Sequence, residues 1–250
     1  MFPYKDENPT ELTPVVTLGI IAVNAMVWLL VQGLGADEPL ARSVCQLGLI
    51  PGEVLRTVPP GTSVPLGPGV HCVLRADPHW LTVLTSMFMH GGWFHIIGNM
   101  WFLWVFGNNI EDSMGHARFV VFYLLCGVAA AAAQMLVAPR SVVPMVGASG
   151  AISGVMGAYT LLYPRVRVHT LVTLGFFVTT VTLPAYVMLG YWFVLQLLMG
   201  AVGALSPTEG GVAVWAHVGG FLTGLALVKL FANPEFLERR RAGAFLRRDA

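Results

Sequence analysis

The sequence contains few charged residues. Asp, Glu, Lys and Arg make up 11% of its 250 residues, whereas soluble domains average about 25%. Hydrophobic residues make up 56%, and a soluble fold of this size could not bury that much apolar surface. We therefore expect a protein whose solvent is a lipid bilayer.

The sequence also lacks an excess of charge of one sign. Its formal net charge is +1, whereas nucleic-acid binding calls for a clustered basic face. We therefore expect no nucleic-acid partner.

Cysteine is rare, with three residues in the chain. Cys126 falls in an apolar segment and is interpreted as core filler. Cys45 and Cys72 fall in one polar loop, where they are either a disulfide formed in an oxidising compartment or two free thiols. Neither has a motif around it that indicates a cysteine nucleophile.

Long segments without Asp, Glu, Lys or Arg predict membrane spans, since a spanning helix needs about 20 apolar residues. The uncharged segments cover residues 12–36, 78–110, 119–139, 141–164, 168–208 and 210–228. The spans predicted within or beside them cover residues 14–32, 93–110, 118–137, 147–163, 184–204 and 212–230. The sequence therefore predicts an all-α membrane protein, a bundle of six transmembrane helices.

Six spans would place both termini on the same side of the membrane. A cytoplasmic segment 1–13 and a basic tail 232–250 would flank the membrane domain 14–231. Of the 14 Lys and Arg residues, four would lie on the opposite side: Arg42, Arg56, Arg75 and Arg140. The positive-inside rule then predicts cytoplasmic N- and C-termini. The first span is interpreted as uncleaved, because its flank carries more acid than base. The lack of a transit peptide suits a bacterial plasma membrane.

Two connections between the spans are unusual. The outer loop 33–92 is rich in Pro and Gly, and loops of that length are usually functional or mobile. Segment 165–183 is rich in β-branched residues with a Gly-Phe break in its middle, which predicts a hairpin on the membrane surface.

Polar side chains inside a bilayer are costly, so each one is a candidate functional residue. Three short motifs carry them. The first is HGGWFHIIGN with His90, His95 and Asn99; the second is GASG with Ser149; the third is WAHVGGFLTG with His217. The predicted topology brings all three motifs to a similar depth near the outer surface.

Glycines repeat at helical spacing beside the serine and the histidine of these motifs. The stripes are Gly150, Gly154 and Gly157 on the fourth span, and Gly220 and Gly224 on the sixth. Such stripes let helix backbones touch. Ser149 and His217 are therefore expected within hydrogen-bond reach, the arrangement needed for nucleophilic acyl transfer.

No carboxylate falls at the predicted depth of Ser149 and His217, so we expect a Ser-His dyad rather than a triad. Asn99, His95 and the backbone N–H of Ser149 can hold an oxyanion. A zinc site at His90 and His95 is disfavoured, because they are five residues apart and neither an HExxH motif nor an embedded carboxylate completes it. We expect no metal and no cofactor.

These motifs resemble the rhomboid family of intramembrane serine proteases. The matching segments are 90–112, 147–159 and 216–224, and the similarity extends over about residues 77–230. The resemblance implies a nucleophile at Ser149, preceded by Gly147, and a base at His217. It also implies an oxyanion-side pair at His95 and Asn99, and a more structural role for His90. The expected partners are the lipid bilayer and substrates that are transmembrane segments of other proteins, with small or helix-weakening residues near the cut.

Some features depart from the family pattern or add to it. Where some members carry an aromatic ring that stacks on the catalytic histidine, this chain has Ser153, so the group that orients His217 is left open, with Trp215 and Trp101 as candidates. The resemblance implies that helix five and the fifth loop, 205–214, act as gate and lid. We expect the minimal six-helix form.

Two other functions are weighed against proteolysis. A non-proteolytic relative that binds membrane helices usually lacks the serine or the histidine, and this chain has both. A small transporter is disfavoured by the shallow depth of the polar motifs and by the absence of embedded carboxylates.

Overall fold

The structure is a computed structural model that describes residues 1–67, 69–175, 177–205 and 213–246. In chain order the described elements are β1 (Phe2–Asp6), α1 (Val15–Leu30), a first 3-10 turn (Gly33–Gly35), α2 (Asp37–Leu47), α3 (Pro51–Val54), β2 (Ser63–Gly67), β3 (Val70–Val73), α4 (Thr82–Thr85), a second 3-10 turn (Ser86–Phe88), α5 (Trp93–Met114), α6 (His116–Val137), α7 (Ser149–Leu162), β4 (Arg167–Leu174), β5 (Phe177–Pro184), α8 (Ala185–Leu205), α9 (Val214–Phe231) and α10 (Pro234–Leu246).

Six long helices, α1 and α5 to α9, form the bundle, and each overlaps one predicted span. Within the described residues, α6, Ala185–Gly203 of α8, and α9 are long and apolar enough to cross a bilayer, judged by length and composition. Helices α1 and α7 are apolar but shorter. Six crossings of the membrane therefore stay a prediction.

Successive long helices run in opposite directions, so β1 and α10 lie at the same end of the bundle. At that end the N–H of Asn233 donates to the carbonyl of Ser113 at 2.8 Å, and the hydroxyls of Ser113 and Tyr163 are 2.5 Å apart. We call it the terminal end. At the other end Nε2 of Gln32 donates to the carbonyl of His90 at 2.8 Å. We call that end the site end.

The expectation of an all-α fold holds only in part, because the described residues are mostly helical but strands form two small sheets. β4 and β5 pair as the antiparallel hairpin expected in segment 165–183, around a turn in which Gly175 has a φ of 62°. β1 pairs with the other edge of β4, so the order of this sheet is β1-β4-β5. β2 and β3 form a two-stranded sheet inside loop 33–92. Patterns based on uncharged length detect helices, whereas β1 exists only through pairing with a strand far along the chain.

The core lies where α5, α6, α7 and α9 meet. Its five largest fully buried side chains are all aromatic: Tyr123, Tyr159, Phe106, Phe119 and Phe122. The outer faces of α1 and α8 expose large apolar side chains, among them Leu30 and Val202. Apolar surface on helices of this composition is what a bilayer covers.

Loop 33–92 is folded over the site end. Cys45 of α2 and Cys72 of β3 form a disulfide, which decides between the two states left open by the sequence. The buried carboxylate of Glu53 accepts the N–H of Arg75 at 2.9 Å and lies 3.6 Å from its Nε. These contacts hold α2, α3 and the β2–β3 sheet together.

The carboxylates of α5 lie at the terminal end, far from the site end. The two oxygens of Glu111 accept the N–H groups of Val16 and Thr17 at 2.9 and 2.8 Å. These donors at the start of α1 have no partner within their own helix, and negative charge is favourable there. Arg240 of α10 forms an ion pair with Asp112. The charges of α5 therefore serve the structure.

Candidate active site

Ser149 is the first residue of α7, and the turn before it requires glycine. Gly147 has a φ of 124°, a conformation that residues with a side chain rarely adopt. Its N–H donates to the carbonyl of Ser86 at 2.9 Å, which ties the turn to the second 3-10 turn. A Cβ atom at Gly147 would lie 2.7 Å from Nε2 of His95. Glycine at this position therefore leaves space beside the serine hydroxyl.

Glycines bring the backbones of α7 and α9 into contact. A Cβ atom at Gly220 would overlap the carbonyl oxygen of Gly150, and one at Gly224 would overlap that of Gly154. A Cβ atom at Gly157 would overlap the backbone of α9 in the same way. These contacts set the separation of the two helices that carry the serine and the histidine.

The packing of α7 against α9 places His217 beside Ser149. Nε2 of His217 is 2.7 Å from Oγ of Ser149. His217 lies in the first turn of α9, at the same end of the bundle as the start of α7. The distance is that of a hydrogen bond between a nucleophile and its base.

His95 and Asn99 lie one turn apart on α5 and face Gly147. The N–H of Gly91 donates to Nδ1 of His95 at 3.2 Å. Because Nδ1 accepts, the proton of the neutral ring sits on Nε2, which makes Nε2 a donor. Asn99 is buried, and its Nδ2 atom has no hydrogen-bond partner among the described residues. Two donors thus point into the space next to the serine.

His90 precedes α5, and its ring packs against the ring of His95. Its N–H and carbonyl are both bound by the side-chain amide of Gln32 at 2.8 Å. Its ring is fully buried and meets that of His95 edge-on, with centroids 5.2 Å apart. Burial, together with the neighbouring His95, lowers the pKa of His90 to about 3. The ring is therefore neutral and acts as packing.

Sequence reasoning missed the two side chains that contact the ring of His217 from α8. Oε1 of Gln196 is 2.9 Å from Nδ1 of His217. The ring of Trp192 lies 5.9 Å from the His217 ring, centroid to centroid. Gln196 could have been singled out from the sequence, because it is a polar residue inside a predicted span and such residues are candidate functional residues.

The tryptophans suggested for the role of steadying His217 lie elsewhere. Nε1 of Trp101 donates to the carbonyl of Pro3 at 2.8 Å. Trp215 packs toward α8, where a Cβ atom at Gly200 would lie 3.1 Å from its ring. The indole that meets the His217 ring is that of Trp192 on α8, so the question left open by the sequence is answered by a different tryptophan.

Ser153 does not contact the ring of His217. It is buried, and its hydroxyl donates to the carbonyl of Ser149 at 2.6 Å. This hydrogen bond lies within α7. The side chain that packs on the ring of His217 is Trp192 of α8.

A large cavity at the site end contains the serine, the histidine and both donors on α5. Its volume is about 1590 Å³. Helices α5 to α9 and the connection between α6 and α7 contribute to its walls, which include apolar side chains such as Phe94, Val146 and Leu198. The cavity can hold an extended segment of polypeptide beside Ser149. Residues 206–212, most of the expected lid, lie outside the described residues.

Across residues 1–67, 69–175, 177–205 and 213–246, no group of three or more His, Cys, Asp or Glu side chains is placed to hold a metal ion. The expectation of no metal and no cofactor stays a prediction.

Comparison with known proteins finds relatives that carry the rhomboid name. Over 164 residues the chain is 29% identical to Rhomboid-like protein 11, chloroplastic, of Arabidopsis thaliana, covering 62% of this chain and 54% of that protein. It is 30% identical over 154 residues to Rhomboid protease GluP of Bacillus subtilis, covering 62% and 27%. RHOMBOID-like protein 6, mitochondrial, of Arabidopsis thaliana is 29% identical over 155 residues, covering 62% and 44%. The matches thus span about a quarter to about half of the length of these relatives.

The family model described as Rhomboid domain matches residues 77–234. This range begins before α4, runs through α9 and includes Ser149, His217, His95 and Asn99. It covers more than half of the chain, and together with the apolar helices it shows an integral membrane protein that belongs to the rhomboid family.

Proposed function

We propose that the protein is an intramembrane serine endopeptidase that cleaves transmembrane segments of other membrane proteins. The observation that carries the proposal is the distance of 2.7 Å between Nε2 of His217 and Oγ of Ser149. A relative named as a protease, Rhomboid protease GluP, supports it. The cavity around the pair supplies space for a substrate backbone.

The first step is attack on the scissile carbonyl carbon. His217 takes the proton of Ser149 on Nε2 as the Oγ atom bonds to that carbon. The carbonyl π electrons move onto oxygen and give a tetrahedral oxyanion. Nε2–H of His95, Nδ2–H of Asn99 and the N–H of Ser149 donate to this oxygen. A helix start leaves the N–H of Ser149 without an intrahelical partner.

The second step breaks the C–N bond. His217 returns its proton from Nε2 to the leaving amine, and an ester remains on Ser149. Water then attacks the ester with His217 as its base, and the proton finally returns to Oγ of Ser149. Every proton taken up by His217 is released, so the dyad ends the cycle unchanged.

An unwound substrate suits this site. The cavity offers about 1590 Å³ beside Ser149, and an extended backbone exposes its carbonyl groups, whereas a helix conceals them in hydrogen bonds. Substrates with small or helix-weakening residues near the cut unwind at lower cost. Helix α8 forms one wall of the cavity and is the proposed gate.

The proposed topology has six crossings with both ends of the chain in the cytoplasm of a bacterial cell. The shared position of β1 and α10 at the terminal end supports an even number of crossings. The Cys45–Cys72 disulfide supports an oxidising compartment on the other side.

The test uses purified wild type, Ser149→Ala and Thr160→Ala in liposomes with a panel of single-span substrates. Thr160 is a matched control, because its hydroxyl lies on the same helix and donates to the carbonyl of Met156. We expect cleavage and labelling by a fluorophosphonate probe with wild type and Thr160→Ala, and neither with Ser149→Ala. Cleavage by Ser149→Ala would contradict the assignment of Ser149 as the nucleophile. Absence of cleavage and labelling from all three would favour a protein that only binds membrane helices.

A further inference from the structure

Gln196 lies at the edge of the His217 ring that faces away from the serine. Its Oε1 atom is 2.9 Å from Nδ1, while Nε2 of the same ring is 2.7 Å from Oγ of Ser149. We propose that Gln196 is a positioning residue that keeps the proton of neutral His217 on Nδ1 and so leaves Nε2 free to accept the proton of Ser149. This inference rests on the proposed function.

The position of the amide oxygen of Gln196 against Nδ1 of His217 assigns the proton to that nitrogen. A neutral imidazole has one N–H, and an amide oxygen is an acceptor only. At 2.9 Å from Oε1, Nδ1 of His217 must therefore be the donor. In the opposite tautomer the amide would have to turn over so that its NH2 group donates to Nδ1, and Nε2 would present a hydrogen to Ser149. That tautomer cannot act as a base toward the serine.

The environment of His217 explains why an amide suits this role. An unpaired N–H in an apolar site is costly, so the Nδ1–H group needs an acceptor. A carboxylate in its place would bring a full charge into the bilayer. A glutamine supplies the acceptor without the charge, and the same bond persists when His217 carries the second proton.

Helix α8 holds the amide in place through one face. Trp192 and Gln196 are four residues apart and share that face. Trp192 packs on the His217 ring at 5.9 Å and on the ring of Phe221 at 6.2 Å. One turn further on, Gly200 lies against Trp215 of α9. The tautomer of His217 therefore depends on the docking of α8 against α9.

The kinetic test compares three variants of α8 in liposomes with one cleaved substrate. Gln196→Leu removes the acceptor at similar volume, and we expect kcat to fall about 100-fold with KM unchanged. The fall is smaller than the roughly 10⁴-fold loss that follows a wrong tautomer in a Ser-His-Asp triad. Gln196→Glu keeps an acceptor oxygen and is expected to restore kcat to within about tenfold of wild type. Leu197→Ala, on the exposed side of the same turn, controls for general damage to α8.

The spectroscopic test reads the proton of His217 directly. Protein labelled with [15N]histidine gives different nitrogen shifts for the two tautomers, and the His217 signals are those lost in His217→Ala. We expect Nδ1–H in wild type and Leu197→Ala, and a shift of the proton toward Nε2 in Gln196→Leu. Nε2–H in wild type, or an unchanged tautomer and kcat in Gln196→Leu, would overturn the inference. Nδ1–H in a wild type that cleaves nothing would count against the proposed function alone.

Discussion

At the scale of single residues, Asn99 pairs a structural cost with a chemical use. Its Nδ2 atom is buried without a partner among the described residues and points toward the space beside Ser149. A buried donor left unpaired costs roughly 1–3 kcal/mol. A donor that is unpaired at rest and paired with an oxyanion in the transition state lowers the barrier of the reaction.

Asn99→Leu is therefore expected to separate activity from stability. Loss of one oxyanion donor should lower kcat by about 10²–10³ with little change in KM, while the thermal midpoint in detergent holds or rises. The measurement is substrate cleavage together with thermal unfolding. Asn24→Leu is the matched control, because Asn24 is also buried but its Nδ2 donates to Ile20 in α1. Full activity in Asn99→Leu would remove this residue from the mechanism.

The lowered pKa of buried His90 predicts how the stability of the protein depends on pH. Its folded pKa is lowered by burial to about 3, whereas an unfolded histidine titrates near about 6.5. The contribution of neutral His90 is thus complete above the unfolded pKa and is lost as pH falls toward the folded pKa. At about 1.4 kcal/mol per pKa unit, the loss approaches roughly 3 kcal/mol near pH ~4.

We expect His90→Leu to lose much of the decline in thermal midpoint between about pH 7 and about pH 4. The measurement is the midpoint of unfolding in detergent across that range. His71→Leu, at an exposed histidine of β3, should keep the wild-type decline. Equal pH dependence in wild type and His90→Leu would contradict the assignment of His90 as a neutral packing group.

At the scale of elements, the approach of α7 to α9 decides whether the site exists. Neither helix contains the complete site, and the distance from Ser149 to His217 depends on backbones that touch at glycines. Larger side chains at these glycine positions would push α7 and α9 apart. Oγ of Ser149 and Nε2 of His217 would then be too far apart for a hydrogen bond.

Gly220→Ala is expected to damage both packing and activity. The added Cβ atom would overlap the carbonyl of Gly150, and overpacking of this kind typically costs about 1–3 kcal/mol. We expect a lower thermal midpoint and a larger loss of kcat than the change in folded fraction explains. Gly190→Ala is the control, because a Cβ atom built there has no contact within 4 Å beyond its chain neighbours and the adjacent backbone of its own helix. Wild-type stability and rate in Gly220→Ala would show that the site does not depend on the close contact of α7 with α9.

At the scale of the whole molecule, the two ends of the bundle differ in chemistry. The terminal end joins β1, β4, α1, α5 and α10 through strand pairing and through buried ion pairs such as Arg240 with Asp112. The site end carries the disulfide-bonded loop and the cavity. This asymmetry supports an orientation with the cavity facing the oxidising side of the membrane.

Cysteine labelling tests that orientation. In a Cys126→Ala background, Arg140→Cys and Arg118→Cys place exposed thiols at the site end and the terminal end respectively. We expect a membrane-impermeant maleimide to label Arg140→Cys in intact cells, and Arg118→Cys only after permeabilisation, since bilayers exclude charged reagents. The reverse pattern would invert the proposed topology.

The sequence alone predicted the elements that depend on local composition. Uncharged runs located α1 and α5 to α9, and the glycine stripes correctly paired α7 with α9. β1 was missed, since a strand forms only when another strand supplies its hydrogen bonds. The three short polar motifs singled out Ser149, His217 and Asn99 as candidates, because a polar group in an apolar run is conspicuous.

The sequence by itself determined a membrane-embedded helical protein of the rhomboid family, because burial in lipid requires long apolar helices and leaves few places for polar groups. Only the tertiary structure decided the pairing of Cys45 with Cys72, the addition of β1 to the hairpin, and the contact of Gln196 and Trp192 with His217. Each of these depends on the rotation and approach of elements that are distant in the chain. Composition and spacing do not encode that geometry residue by residue.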